Sequence, residues 1–157
     1  MIGELKFQIS DLAKNSDPPW DLLLLADPSR EMIDQYLSES EVFVGELQGK
    51  LIGVLVLLPL SDGIAEIKNL AVDEAFQGKG FGKQLLRFAI QYAKQKGLER
   101  LLIATGNSSM AQLTLYQSLG FELFEVDWGF FERNYPEPIV ENGIVCKHLM
   151  KLQMVFD

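Results

Sequence analysis

The segment Gln77-Gly78-Lys79-Gly80-Phe81-Gly82-Lys83 joins two stretches whose residue patterns predict different secondary structures. The stretch before it, Ile64 to Val72, is apolar and β-branched, which is typical of a central strand. The stretch after it, Phe81 to Lys96, repeats apolar residues at helical spacing. Alternating glycines leave backbone N–H groups uncovered at a helix N-terminus, where the helix dipole favours an anion. The sequence therefore predicts a strand–turn–helix unit whose turn is suited to a pyrophosphate.

The flanking stretches predict further strands and helices in the order β–α–α–β–β–β–α–β–α–β–β. Strands are predicted at about 5–9, 42–47, 51–60, 64–72, 100–105, 121–126 and 145–155, and helices at about 22–25, 29–37, 81–96 and 111–119. The polar, proline-bearing stretch 132–142 is predicted to be a loop. An antiparallel meander followed by a β–α–β crossover predicts an α/β fold with a mixed sheet and helices on both faces. No linker divides the chain, so we expect residues 1–157 to form one domain.

The composition and net charge favour a globular protein and argue against some kinds of partner. Of the 157 residues, 48% are hydrophobic, which is typical of a globular protein. The net charge of −8 argues against a nucleic-acid partner, because non-specific binding needs a basic surface, and mildly favours a cationic substrate. The apolar runs are far shorter than a membrane span, and we therefore expect a cytoplasmic protein with no membrane partner.

The chain has one cysteine, Cys146, and one histidine, His148. An intrachain disulfide is excluded, and we expect no metal site because this pair cannot supply three good ligands. The two residues alternate on the predicted strand 145–155, which would point both side chains the same way. A buried cysteine with a structural histidine is favoured over a reactive Cys–His pair.

The spacing of the glycines argues against two known phosphate-binding motifs. A P-loop needs four residues between its glycines, whereas Gly78 and Gly82 have three between them, and Gln84 follows Lys83 where Ser or Thr is needed. A dinucleotide fingerprint needs the spacing G-x-G-x-x-G and an early βαβ unit, and neither is present. On the glycines alone, the alternative that this turn binds no ligand remains open.

Two motifs taken together resemble the GNAT superfamily of acetyl-CoA-dependent N-acetyltransferases, in its small, single-domain bacterial form. The first is Gln77-x-x-Gly80-x-Gly82 after a strand that ends in Leu70-Ala71-Val72. The second lies in 107–121 and ends in Leu115-Tyr116 and Leu119-Gly120-Phe121. The resemblance covers about residues 40–127. It implies a mostly antiparallel sheet with a splayed parallel pair in the middle, between whose strands acetyl-CoA binds.

The resemblance also implies which residues bind acetyl-CoA. The pantetheine amides would pair with the backbone of Leu70, Ala71 and Val72, and a bulge at Asn69 would start the splay. The pyrophosphate would accept N–H groups of the turn, with modest attraction from Lys79 and Lys83. The turn residues are Gln77, Gly78, Lys79, Gly80, Phe81, Gly82 and Lys83.

Asn107 and Ser109 are two further candidates for contact with coenzyme A, by their place after the next strand. The alternative is that Asn107 or Ser108 caps the following helix.

The same resemblance implies two catalytic residues. Tyr116 would protonate the departing thiolate, since a phenol of ordinary pKa stays protonated at neutral pH; the alternative is a core tyrosine. Glu66 would act as the base, with ordered water as the alternative. Alternation predicts Glu66, Lys68 and Leu70 on one face of the strand, opposite Ile67 and Asn69.

The segment from Asp127 to Pro138 is a candidate for the acceptor side of the cleft, because it interleaves aromatic side chains with carboxylates. A packed surface loop or a homodimer contact is the alternative. Trp20 and Tyr36 would cover the opposite side.

The leading hypothesis is transfer of an acetyl group from acetyl-CoA to a small-molecule or peptide amine, by direct attack in a ternary complex and without a metal. A non-catalytic acyl-CoA-binding regulatory module and a nucleotide-binding protein are the competing hypotheses.

Overall fold

The computed structural model describes residues 6–157, so Leu5, where the first strand was predicted to begin, lies outside the described residues. The strands are β1 (Phe7–Asp11), β2 (Glu41–Leu47), β3 (Lys50–Ser61), β4 (Ile64–Val72), β5 (Arg100–Gly106), β6 (Glu122–Asp127), β7 (Ile139–Glu141), β8 (Ile144–Cys146) and β9 (Leu149–Val155). The helices are α1 (Trp20–Ala26), α2 (Arg30–Leu37), α3 (Phe81–Gln95), α4 (Met110–Ser118) and α5 (Phe130–Asn134). A short 3-10 helix, Glu74–Phe76, follows β4.

Seven of the strands form one sheet in the order β1-β2-β3-β4-β5-β9-β6. The neighbours β4 and β5 run parallel, and the other neighbouring pairs are antiparallel. The predicted mixed sheet with a parallel pair at its centre is therefore confirmed. None of the helices among the described residues is long and apolar enough to cross a membrane.

Helices cover both faces of the sheet because each has one buried apolar side. On one face, α3 buries Leu85, Leu86, Ala89 and Ala93 against the strands. On the other face, Leu22 and Leu23 of α1 and Ile33 and Tyr36 of α2 pack on β3 and β4. Burying a leucine or isoleucine side chain contributes about 1.5–3 kcal/mol, so these contacts hold the layers together.

The parallel pair β4–β5 separates part of the way along. Pairing runs only from Ile64, opposite Arg100, to Ile67, opposite Ile103. At that point β4 carries a bulge: Ile67 pairs with Leu57 and Asn69 with Val56, which leaves Lys68 without a partner on β3. A bulge bends its strand, and β4 diverges from β5 beyond it. The bulge was predicted at Asn69 and lies one residue earlier.

The bulge also changes which side chains share a face of β4. Ile67, Leu70 and Val72 all pack with the core under α3, whereas Asn69 and Ala71 face α1 and α2. The prediction that alternation places Leu70 opposite Ile67 is therefore wrong, because the extra residue shifts the side-chain period by one.

The C-terminal third differs from the sequence prediction in two ways. The single strand predicted at 145–155 is divided into β8 and β9, and the loop predicted at 132–142 contains the end of α5 and all of β7. Strands β7 and β8 form a separate hairpin around Asn142 and Gly143, which have φ of 56° and 72°. Positive φ at both turn residues is the requirement of a type I′ hairpin, and Asn-Gly is its strongest sequence signal.

Cys146 and His148 are not paired on one strand, contrary to the predicted alternation. Cys146 ends β8 and is buried, and His148 lies in the link to β9. The His148 Nδ1 accepts a hydrogen bond from the Gly129 backbone N–H at 2.9 Å. Burial raises the pKa of the Cys146 thiol, which keeps it in the unreactive protonated form. The predicted buried cysteine and structural histidine therefore describe this pair.

Gly106, at the end of β5, is a point of close contact between the main sheet and the β7–β8 hairpin. A Cβ at Gly106 would overlap Cys146 Sγ. We expect Gly106→Ala to lower the free energy of unfolding by about 1–3 kcal/mol, measured by urea denaturation, because the core is overpacked.

The double variant Gly106→Ala/Cys146→Ala is the test of that cause, since removal of the thiol makes room for the new methyl group. We expect it to be more stable than the sum of the two single changes predicts. Gly82→Ala is the matched control, because a Cβ there meets nothing closer than Val72 Cγ2 at 3.9 Å. Additive effects of the two single changes would contradict the proposed contact.

Candidate active site

A cleft of about 870 Å³ lies at the splay between β4 and β5. Its walls include the end of α1, part of α2, the turn before α3, the start of α4, and α5 with β7. The predicted site residues that line it are Glu66, Leu70, Ala71, Val72, Gln77, Gly78, Phe81, Gly82, Ser109 and Tyr116. Lys79, Gly80, Lys83 and Asn107 are not among the lining residues.

Beyond the bulge, β4 presents an unpaired backbone edge to this cleft. Residues 69–72 pair with β3 on one side only, while the end of β5 pairs only with β9. Backbone N–H and C=O groups require partners, so this edge is free to bind the amides of an extended ligand.

The glycine turn has the backbone geometry of an anion site. Gly78 and Gly80 have φ of 77° and 91°, a region that side chains with a Cβ rarely adopt. Gly80 is the N-cap of α3 and offers no side-chain hydrogen bond to the first turn. A Cβ at Gly78 or Gly80 would meet nothing within 4 Å, so the space in front of the uncapped N–H groups is open.

Gln77 ties this turn to the splayed strand. Its Nε2 donates a hydrogen bond of 2.9 Å to the carbonyl oxygen of Val72, the last residue of β4. The Asp73 N–H bonds the Ile52 carbonyl, which anchors the same corner to β3. The side chain of Gln77 is thus engaged within the protein, and its backbone N–H donates to the Glu74 carbonyl at 3.4 Å.

Asn107 has a different role from the one predicted. Its Oδ1 accepts hydrogen bonds from the N–H groups of Lys147 and His148 at 2.8 and 2.9 Å, and its Nδ2 donates to the Val145 carbonyl. The side chain therefore holds the link between β8 and β9 and is neither free for coenzyme A nor the helix cap.

Ser109 is the N-cap residue of α4, although its side chain makes no capping hydrogen bond. Its hydroxyl donates to Glu141 Oε1 at 3.2 Å. Ser108, the alternative capping residue, is fully buried, and its Oγ has no hydrogen-bond partner among residues 6–157.

Tyr116 lies on the inner side of α4 and is 6% exposed. Burial raises its pKa to about 12, because the phenolate would lose solvation. The phenol consequently carries its proton throughout the neutral range.

Glu66 lies just before the bulge, where β4 is still paired with β5. Its side chain is 18% exposed, and its Oε2 lies 3.8 Å from the Nζ of Lys68. The Lys68 ammonium also lies 5.5 Å from the centre of the Tyr36 ring. Glu66, Lys68 and Tyr36 thus form one contiguous group at the cleft wall.

Asn69 joins the bulge to both helices that cover it, a role the sequence prediction missed. Its Nδ2 donates to the Leu23 carbonyl at 3.0 Å and to the Tyr36 hydroxyl at 3.1 Å. A polar residue within a buried strand was the available signal, since a buried amide needs such partners.

Asp27 and Tyr135 close the far side of the cleft. The Tyr135 hydroxyl donates to Asp27 Oδ1 at 2.8 Å across 108 residues of sequence. Burial and this carboxylate raise the pKa of Tyr135, which remains a donor at neutral pH. Phe130 and Phe131 of α5 pack beside Tyr135.

The segment 127–138, predicted to bind the acceptor, contributes three aromatic residues to the cleft, and Tyr36 also lines it, whereas Trp20 and Trp128 do not. No group of three His, Cys, Asp or Glu side chains within residues 6–157 is arranged to hold a metal ion.

Comparison with known proteins gives matches along nearly the whole chain. Residues 9–121 match the Acetyltransferase (GNAT) family. A relative named uncharacterized N-acetyltransferase YvbK, from Bacillus subtilis, is 45% identical over 149 residues, which are 95% of this chain and 96% of that one.

Two solved structures are similar throughout. A GNAT family acetyltransferase from Elizabethkingia anophelis with acetyl-CoA bound is 47% identical, with a TM-score of 0.93 over 96% of this chain and 98% of that one. A Bacillus subtilis acetyltransferase in complex with CoA is 44% identical, with a TM-score of 0.90 over 96% and 99% of the two chains. On sequence and fold together, the chain belongs to the GNAT acetyltransferase family.

Proposed function

We propose that the protein transfers the acetyl group of acetyl-CoA to a primary amine, by direct attack within a ternary complex. The observation that carries this proposal is the splay itself, since one cleft holds the free edge of β4, the glycine turn, Glu66 and Tyr116. Bound acetyl-CoA supplies the activated thioester. Two similar proteins that hold acetyl-CoA or CoA support this choice of donor over a nucleotide.

The chain offers a separate contact for each part of the donor. The backbone edge of Leu70, Ala71 and Val72 that is not paired with β5 suits the amides of the pantetheine arm. The N–H groups from Gly78 to Lys83 suit the pyrophosphate, and the exposed Lys79 and Lys83 add a screened attraction.

Tyr116 is the proposed general acid. The residue lines the same cleft, and its phenol, with a pKa of about 12, is protonated when the thiolate leaves. Proton transfer from such a group accelerates a reaction by about 10²- to 10⁴-fold.

Glu66 is the proposed base for the attacking amine, directly or through ordered water. An alkyl ammonium with a pKa of about 10.4 must lose a proton first, which costs about 4–5 kcal/mol at pH 7. The partly exposed carboxylate at the cleft wall can accept that proton. The neutral amine nitrogen then attacks the thioester carbonyl, and the C–S bond breaks as Tyr116 gives its proton to sulfur. The nitrogen loses its remaining extra proton as the amide forms, and this proton restores the Tyr116 phenol.

Tyr116→Phe separates an enzyme from a non-catalytic acyl-CoA-binding module. We expect kcat for acetyl transfer to an amine to fall about a hundredfold or more, while the Kd for acetyl-CoA measured by calorimetry changes less than about threefold. The matched control is Gln117→Ala, at an exposed position of the same helix α4. If the wild type binds acetyl-CoA yet acetylates no amine in a broad panel, the hypothesis of a non-catalytic acyl-CoA-binding module replaces that of an enzyme.

Gly82→Ala tests the proposed pyrophosphate contact. The residue has an ordinary helical conformation with free space for a Cβ, and alanine is the better helix former, so stability should be kept or raised. The added methyl group enters the approach to the first-turn N–H groups, and we expect affinity for acetyl-CoA to fall about tenfold or more.

The control for Gly82→Ala is Gln91→Ala on the exposed side of the same helix, which should leave the Kd unchanged. An unchanged Kd for Gly82→Ala would place the pyrophosphate elsewhere.

A further inference from the structure

The acceptor side of the cleft carries an excess of negative charge. Among the described residues, the charged side chains that line the cleft are Asp27, Glu66, Lys68 and Glu141. Lys68 is paired with Glu66 at 3.8 Å, which leaves the carboxylates of Asp27 and Glu141 without a cationic partner in the lining. A cleft lined by one sign of charge raises the local concentration of the opposite ion.

Asp27 is held in a fixed position but retains a free oxygen. Its Oδ1 accepts both hydrogen bonds recorded for the side chain, from the Tyr135 hydroxyl at 2.8 Å and from the Ser29 N–H at 3.0 Å. Its Oδ2 has no such partner among residues 6–157. A carboxylate positioned by two donors on one oxygen presents the other oxygen to a ligand that carries N–H groups.

Aromatic side chains surround this carboxylate. Tyr135 is bonded to it, and Phe131 stacks on Tyr135 with ring centres 5.5 Å apart. Tyr36 lies close enough for the Asp27 charge to raise its pKa, together with the larger effect of burial. A carboxylate among aromatic rings favours an ammonium group, through charge attraction and cation–π contacts.

A second, independent observation at this wall is the amide of Asn69. The residue is 3% exposed and lines the cleft, and its Nδ2 is engaged with Leu23 and Tyr36. Its Oδ1 has no hydrogen-bond partner among the described residues. A buried acceptor without a donor is unfavourable, and an N–H group of a bound ligand would supply that donor.

The two negative positions have different neighbours along the cleft wall. Glu66 pairs with Lys68, whose ammonium lies over the Tyr36 ring, whereas Asp27 is bonded to Tyr135. A ligand that places one nitrogen at Glu66 and another near Asp27 must therefore carry a spacer between the two nitrogens.

We propose that the acceptor is an aliphatic amine with a second cationic group, and that Asp27 binds this second group while the first is acetylated. This inference rests on the proposed function, because it assigns the acceptor of that same site.

The test compares diaminobutane with butylamine, which has the same chain and lacks the second charge. In the wild type we expect kcat/KM for diaminobutane to exceed that for butylamine about tenfold or more, as for a hydrogen bond to a charged group. Asp27→Asn keeps the oxygen that accepts from Tyr135 and Ser29 but removes the charge. We expect it to bring the two amines within about twofold of each other, with the KM for acetyl-CoA unchanged.

Asp34→Asn is the matched control, since it makes the same change in charge at an exposed position of α2 outside the cleft. It should keep the wild-type preference. A purely structural effect of Asp27→Asn would slow both amines equally and leave their ratio intact, which would overturn the inference. Equal kcat/KM for the two amines in the wild type would also overturn it, while leaving the acetyltransferase proposal standing. If the wild type binds acetyl-CoA and acetylates neither amine nor any other, the proposed function fails as well.

Discussion

The organisation of this protein depends on a place where two parallel strands stop pairing. The register of β4 with β3 has one extra residue, Lys68, and pairing of β4 with β5 ends at the preceding residue, Ile67. In a sheet interior, unpaired backbone groups are costly, so a gap of this kind persists only where packing on both faces maintains it. Here α3 supports one face, and Asn69 anchors α1 and α2 on the other. The gap, the free edge of β4 and the cleft all follow from that single extra residue.

The cleft divides electrostatically into two ends. The glycine turn supplies uncapped N–H groups and has two exposed lysines beside it, and this end suits a phosphate. The opposite wall, formed by α1, α2 and α5, holds carboxylates and aromatic rings and suits a cation. Tyr116 and Glu66 both line the cleft that connects these ends, so the proposed anionic donor and the proposed cationic acceptor would each meet the opposite charge.

The sequence was most informative where a function depends on backbone conformation. Gly78 and Gly80 adopt positive φ and Gly82 leaves open space, so the glycine spacing itself encoded the turn. It was least informative where side chains from distant segments meet. Asn107 was predicted to contact coenzyme A or to cap a helix, and instead it bonds three backbone groups of residues 145–148. The contact of Tyr135 with Asp27 has no local signal, since 108 residues separate them.

The sequence alone determined the order of elements as far as β6, the parallel pair at the centre, the glycine turn and the family, because periodicity and glycine spacing are local properties. The β7–β8 hairpin had a local signal too, in Asn142-Gly143, although it was not used. Only the tertiary structure decided that Lys68 is the bulge, that Leu70 rather than Asn69 shares a face with Ile67 beyond it, and that Asp27, Tyr36 and Tyr135 form one wall. These features depend on strand register and on packing between segments far apart in the chain, which no local pattern records.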